Sequence, residues 1–350
     1  MSKPIFYLLL LFIAGSGCMS STSLEVLQPA AFALPAHIST IATVNRTRPA
    51  NRVGNVLEGL ITGEDIGQDR SGARRATEGL SDALTRTPRF NVVFTGIEMK
   101  GKGALGFPDP LPWSTIDSIC QRYGSDAVAT IEKFDSDIGY QTSSRQRTRK
   151  DKEGNETTYT EYNVDMHTRV TMGWRLYDPT QQRILDEIEV TEQMGWDRTG
   201  TSESQARNAL PDARSTVDEV AYLNGQQYGM RIAPTWVRVR RQYYAKAKAK
   251  ENPQIAVDMA EATRFAKVDR WAEAARLWRP IAEDRRYPKA AGRAAYNMAL
   301  ASEWEGKLDL AIEWADKAYT QYGNGQARSY ASLLRQRQRD QDRLREQMND

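Results

Sequence analysis

Few side chains in this 350-residue chain combine a reactive type with the spacing that chemistry needs. Glu132, Asp135 and Asp137 cluster just after the apolar run 127–131, and two carboxylates at a strand end could divide acid and base work in a hydrolysis. Acids at a strand end are as readily explained by solvation. The two histidines, His37 and His167, lie far apart with no H-E-x-x-H spacing and no second cysteine ligand, so the pattern gives no zinc site. His167 sits in the alternating stretch 164–170, which suits a cross-strand contact. Gly101, Gly103 and Gly106 match G-x-G-x-x-G, but Pro108, Pro110 and Pro112 follow where a helix N-terminus would have to face a pyrophosphate. That stretch is expected to be a flexible loop, not a nucleotide site. With no G-x-S-x-G elbow and no triphosphate loop either, the expectation is a protein without catalysis and without a cofactor.

Cysteine supplies the one strong signal. Cys18 follows a charged start at Lys3, an apolar run over 5–14 and the small residues Gly15, Ser16 and Gly17. This is the pattern of a secretory signal peptide over residues 1–17, and the apolar run is too short for the roughly twenty residues of a helical span. A cysteine at that junction resembles the lipobox of bacterial lipoproteins, although Gly15 stands where leucine is usual. The resemblance implies acylation of Cys18 and attachment to a membrane through acyl chains, more than one of which is needed for firm anchoring. Residues 18–23 are then expected to be a lipidated tether. Cys120 shares a helical face with Ile116, Ile119 and Tyr123 and is expected to be a small core residue.

Composition sets the frame for these sites. Charged residues make up 27% and hydrophobic ones 40%, a globular balance, and the net charge of +3 is too small to indicate nucleic-acid binding. From residue 235 onward, 23 Lys and Arg face 16 Asp and Glu, a net +7; the preceding part is mildly acidic, at −4. With Cys18 taken by lipid no internal disulfide is possible, so stability must come from packed cores.

Stretches 24–27 and 41–44 have strand character, and 69–87 has helical periodicity stopped by Pro88. Strand 90–94, a helix over 113–123 and strand 127–131 continue an alternating order that argues an α/β layer. Runs 159–177 and 183–196, joined by the turn signal at 178–181, predict an antiparallel hairpin added to the sheet. The polar stretch 141–157 has no apolar period and is expected to be a mobile loop. Pro211 can open a helix at its first position, and 235–240 alternates as a closing strand.

After Tyr244 the strands cease. Residues 245–250 alternate alanine and lysine and suggest a hinge or a helix start, 245–252 is expected to tolerate cleavage, and the remainder from Ile255 is helical with alanine-rich seams. Asp269-Arg270-Trp271-Ala272-Glu273-Ala274 and Gly306-Lys307-Leu308-Asp309-Leu310-Ala311 recur 37 residues apart, as do Ala262 and Ala299. Small residues at Ala299, Gly306, Ala311 and Ala318 resemble the tetratricopeptide repeat, a helix hairpin with a 34-residue period. Trp271, Trp278, Trp304 and Trp314 crowd this part. Most large residues at such spacing are core, but Trp271 with Arg264, Arg293 and Arg328 could line a repeat groove and hold a partner's carboxylate.

Taken together, the chain is expected to be α+β: an α/β sandwich over 24–244 with a mixed sheet and long antiparallel hairpin, then a tetratricopeptide-like all-α domain over 245–350. Glu25-Val26-Leu27-Gln28-Pro29-Ala30 with Leu34-Pro35, Ile41-Ala42-Thr43-Val44-Asn45-Arg46 and Pro234-Thr235-Trp236-Val237-Arg238-Val239-Arg240-Arg241-Gln242-Tyr243-Tyr244 resemble an uncharacterised family of Gram-negative envelope lipoproteins. Its members join a domain of unknown function to tetratricopeptide repeats. The strand-helix-strand order is more distantly similar to the periplasmic α/β domain of TolB and of the curli secretion lipoprotein. These resemblances imply a lipoprotein at the outer membrane, facing the periplasm, that binds an envelope protein or peptide and no nucleic acid. A subunit of an envelope assembly or secretion system is the alternative, and an enzyme with an unrecognised site comes third. A pore is disfavoured, because the hairpin around 141–157 is rich in Arg, Lys, Thr and Glu instead of an outward apolar alternation.

Overall fold

The structure, a computed structural model, describes residues 19–49, 68–102, 104 and 106–349. Cys18, the apolar leader and Gly103 lie outside the described residues. In chain order the elements begin with β1 (Met19–Gln28), β2 (Thr40–Pro49), α1 (Gln68–Thr85), β3 (Asn91–Gly101), α2 (Trp113–Tyr123) and β4 (Ala127–Lys150). Next come β5 (Glu156–Asp178), β6 (Arg183–Gly200), α3 (Glu203–Asn208), α4 (Ala213–Ile232) and β7 (Thr235–Tyr244). Five helices finish the chain: α5 (Gln254–Ala266), α6 (Trp271–Glu283), α7 (Pro288–Trp304), α8 (Leu308–Thr320) and α9 (Gly325–Asn349). The fold is α+β, a mixed-sheet part followed by an all-helical part. No helix among the described residues is long and apolar enough to cross a membrane.

Two compact units emerge. One is Pro29–Thr235 with Gln347 onward; the other joins the stretch ending at Gln28 to Trp236–Glu346. β1 and β7 therefore form a separate two-stranded sheet that belongs with the helices, not with the α/β layer. Residues 19–23, expected to be a tether, are the first half of β1. Both strands bury one face only, Leu24 and Val26 on β1 against alternating exposure along β7, which suits a ribbon and not a sheet interior.

In the sheet unit the strand order is β3-β2-β4-β5-β6, with β2 parallel to β3 and β4 and the later pairs antiparallel. Helices α1 and α4 cover one face; Leu80, Leu84, Val217 and Tyr228 meet Ile131, Met172 and Trp174 there. On the other face α2 packs Ile116, Ile119 and Cys120 against Val44, Val128 and Tyr177, so Cys120 is the core residue its spacing predicted. Burial also pushes its thiol pKa up. α1 and α4 touch backbone to backbone at glycines. A Cβ on Gly225 would lie 1.9 Å from the Ala76 carbonyl oxygen, and one on Gly79 would lie 2.1 Å from that of Tyr222. α2 stops at Gly124, whose φ of 62° only glycine adopts freely. α4 starts at Ala213, two residues past Pro211, and Asp212 caps it, its carboxylate accepting from the Ser215 N–H at 3.0 Å.

The stretch 141–157 is not a mobile loop. β4 and β5 pair without interruption from Lys133↔Gly173 to Lys150↔Glu156, and β6 drops out at Tyr162↔Gly200. Beyond that point two strands project alone. The tip is closed by Asp151, whose carboxylate accepts N–H groups from Glu153 and Asn155. Both faces of this ribbon meet water, which erases the period-two apolar signal without weakening the backbone ladder.

In the helical unit the turn and second helix of each hairpin repeat in backbone terms, while the first helices differ, 13 residues in α5 and 17 in α7. α6 and α8 are both 13 residues long and start 37 apart. The turns before them match: Asp269 and Gly306 carry positive φ, of 58° and 76°. Arg270 N–H bonds the Phe265 carbonyl as Lys307 N–H bonds that of Ser302, and Ala274 bonds Arg270 as Ala311 bonds Lys307. The expected hinge at 245–250 is packed into this unit. Ala247 is buried, and the Ala245 and Lys246 carbonyls accept hydrogen bonds from Thr263 and Arg293.

Candidate functional site

The predicted partner-binding residues do not gather. Trp271 is only 2% exposed, stacked on Trp304 at 5.0 Å and edge-on to Tyr243 at 5.6 Å, so it is core and not a groove anchor. Trp278 and Trp314 are buried in the same cluster. Arg293 caps the Lys246 carbonyl and stacks over Tyr244. Arg264 is exposed in the last turn of α5, and Arg328, also exposed, lies over the Tyr319 ring.

The acidic trio separates as well. Glu132 occupies the bulge between Ile131 and Lys133 and is fully buried. Its Oε1 accepts from Tyr177 at 2.6 Å and Thr130 at 2.8 Å; its Oε2 accepts from Arg175 at 2.7 Å and Arg46 at 3.2 Å. The same arginines donate to the Pro108 and Asp109 carbonyls, and the Tyr177 oxygen accepts the Leu111 N–H. Burial, then the hydrogen bond and charge of Glu132, push Tyr177 up to about 12. This carboxylate is surrounded by donors, and its partners hold the backbone at Pro108, Asp109 and Leu111 in place. Asp135 and Asp137 answer to each other instead. Burial raises the Asp135 pKa, with Asp137 adding to the rise, while Asp137 pairs with Arg169 at 2.8 Å. His37 bonds Asp178, and His167 lies across from Gly195. Among the described residues no three His, Cys, Asp or Glu side chains are grouped to hold a metal.

A second buried carboxylate carries more. Glu303, on α7, accepts a forked pair from Arg241 of β7, Nε at 3.0 Å to Oε2 and Nη2 at 2.9 Å to Oε1. From α9, Tyr330 donates at 2.5 Å and Arg337 donates through Nη1. Burial alone would raise the Glu303 pKa, but Arg241, Tyr330 and Arg337 bring it below the usual carboxylate range. Burial and this charge hold Tyr330 protonated, well above its ordinary value. Two arginines on one carboxylate leave the cluster one positive charge in excess.

Glu303 is among the residues lining a groove of about 1170 Å³. Its walls are β1 over 23–28, Trp236 to Arg241 on β7, and α9 from Ser329 to Leu344. Sequence reasoning missed this cluster, yet a signal existed: in the 37-residue register Glu303 stands where the first hairpin has Ala266, buried at 2%. A charge at a seam position otherwise filled by alanine marks a departure from the repeat.

A mixed sheet layered with helices and a helix-hairpin pair define a two-part α+β protein. It belongs to the family described as Domain of unknown function (DUF8603), whose model matches residues 38–244. A second model, Domain of unknown function (DUF6340), matches residues 260–337. No curated protein matches the chain. Similar solved structures include the PelC dodecamer from Paraburkholderia phytofirmans, 9% identical over 61% of this chain and 98% of that one, with a TM-score of 0.24. A putative neuraminyllactose-binding hemagglutinin homolog from Helicobacter pylori is 11% identical over 56% and 86%, at 0.28. A minor lipoprotein from Acinetobacter baumannii is 12% identical over 57% and 98%, at 0.22.

Proposed function

We propose that this protein is a non-catalytic lipoprotein of the cell envelope, anchored through Cys18 at the outer membrane and facing the periplasm, whose helical unit holds a protein or peptide partner. In this reading α5–α8 are two hairpins of tetratricopeptide type, with α9 as their cap. The observation that carries it is the groove beside Glu303: a concave site with apolar and charged walls, built on an alanine-seamed repeat with a buried aromatic core. The leader and Cys18 supply the envelope part of the reading.

Two experiments test it. Cys18→Ala should move the protein from the membrane to the soluble fraction with its fold unchanged; a variant that stays on membranes after carbonate washing defeats the lipid anchor. A photo-crosslinking residue placed at Leu333, in the groove, should capture an envelope protein, whereas one at Lys152, on the projecting hairpin, should not. Capture at Lys152 alone would shift the interaction to the sheet unit and favour the assembly-subunit reading.

A further inference from the structure

The groove specifies what lies in it. Six consecutive residues of β1, 23–28, border the opening along a length of about 20 Å at roughly 3.3 Å per residue. Among the described residues β1 pairs with β7 only, which leaves its other edge with backbone donors and acceptors to offer. The facing wall is one stripe of α9, where Leu333, Arg337, Gln341 and Leu344 recur at helical spacing. Two large apolar side chains stand in this opening largely uncovered, Trp236 at 49% and Leu333 at 38% exposure.

Charge narrows the choice further. The acids lining the groove are already engaged: Glu303 by Arg241 and Arg337, Glu25 by Arg238, and Asp340 by Arg343. Arg337 gives Glu303 its Nη1, and among the described residues Arg339 donates to the neutral Gln336 side chain and to no acid. Guanidinium groups carry five donors each and suit a carboxylate in forked geometry. The groove is therefore cationic in excess, apolar at its rim and bordered by an open strand edge.

We propose that it receives an extended peptide segment of a partner protein that carries a carboxylate between apolar residues. The segment adds to the edge of β1, sets its acid on Arg339, and covers Trp236 and Leu333. This rests on the partner-binding reading above and moves the contact away from Arg264, Arg293 and Arg328.

The test is a library of displayed random twelve-residue peptides selected on the full-length protein, with the recovered peptide synthesised and titrated by fluorescence anisotropy. The expected peptides are rich in Asp and Glu flanked by apolar residues. Leu333→Glu and Arg339→Glu, at exposed or partly exposed positions, should each weaken binding at least tenfold with the circular dichroism spectrum unchanged. Raising the salt should weaken it too, because the charges meet in water-accessible space. Arg264→Glu and Arg328→Glu should leave affinity as in wild type. Peptides without acid enrichment, or affinity unchanged in Leu333→Glu and Arg339→Glu, would overturn the proposal. Loss of binding only in Arg264→Glu or Arg328→Glu would overturn it too, while leaving partner binding by the helical unit intact. Recovery of no peptide above empty support also refutes the groove as a peptide site; capture at Leu333 in the envelope then decides the broader reading separately.

Discussion

Glu303→Gln is the sharpest probe of what holds the helical unit together. The carboxylate ties β7, α7 and α9 through Arg241, Tyr330 and Arg337, and is itself fully buried. Glutamine keeps the shape but removes the charge, turns an amide N–H₂ toward an arginine and leaves two guanidinium groups facing each other. Removing one member of a buried ion pair costs about 3–5 kcal/mol. The lower end applies, since Arg241 and Arg337 retain 10% and 19% exposure and can partly resolvate. About 3 kcal/mol, with a urea m-value of roughly 2 kcal/mol/M, shifts the midpoint down by about 1.5 M. Tryptophan fluorescence reads the transition through Trp271, Trp278 and Trp314, all in this core. The pH dependence gives an independent sign. The folded pKa of Glu303 is lowered from 4.5, so its contribution is complete above that value and fades as pH falls through the lower folded value. The gap between wild type and variant should close on acidification and stay constant from pH 6 to 8. A midpoint shift under about 0.5 M at pH 7, or a gap that widens in acid, would refute the assignment of this cluster as a stabilising lock.

Gly225→Ala should destabilise the sheet unit by about 1–3 kcal/mol, because its Cβ would meet the Ala76 carbonyl oxygen at 1.9 Å; thermal unfolding checks this. Ala311→Leu overpacks a fully buried seam position and should cost about the same, whereas Arg264→Ala on the exposed side of α5 should fall within roughly 0.5 kcal/mol. Tyr177→Phe removes a donor to Glu132 and the acceptor of the Leu111 N–H, for about 1–3 kcal/mol, and should make the chain near 104–111 cleavable by protease at a concentration that spares wild type.

Local periodicity made much of the fold legible. Ile116, Ile119 and Cys120 share a buried face as their spacing required, and the turn signal at 178–181 does join two antiparallel strands. The projecting ribbon was hidden because residues such as Arg145, Arg147 and Glu161 pair across strands in water, where no apolar alternation records the pairing. The pairing of β1 with β7 joins residues more than 200 apart and leaves no mark in either segment. For the site, Trp271 misled through its type: an aromatic at helical spacing is ambiguous between core and groove until its neighbours, Tyr243 and Trp304, are known. Glu303 could have been found by asking which residue breaks the 37-residue register.

The joining of β1 to β7 also fixes how the chain bears tension. The sheet unit is an insertion between two strands of the helical unit, entered after Gln28 and left before Trp236. Were the chain held just ahead of β1, a pull on the helical unit would be carried first by the β1–β7 rungs. The mechanical weak point is then a ribbon of two ten-residue strands. Under load it should part before either hydrophobic core does, and the inserted sheet unit would remain folded on a lengthened leash.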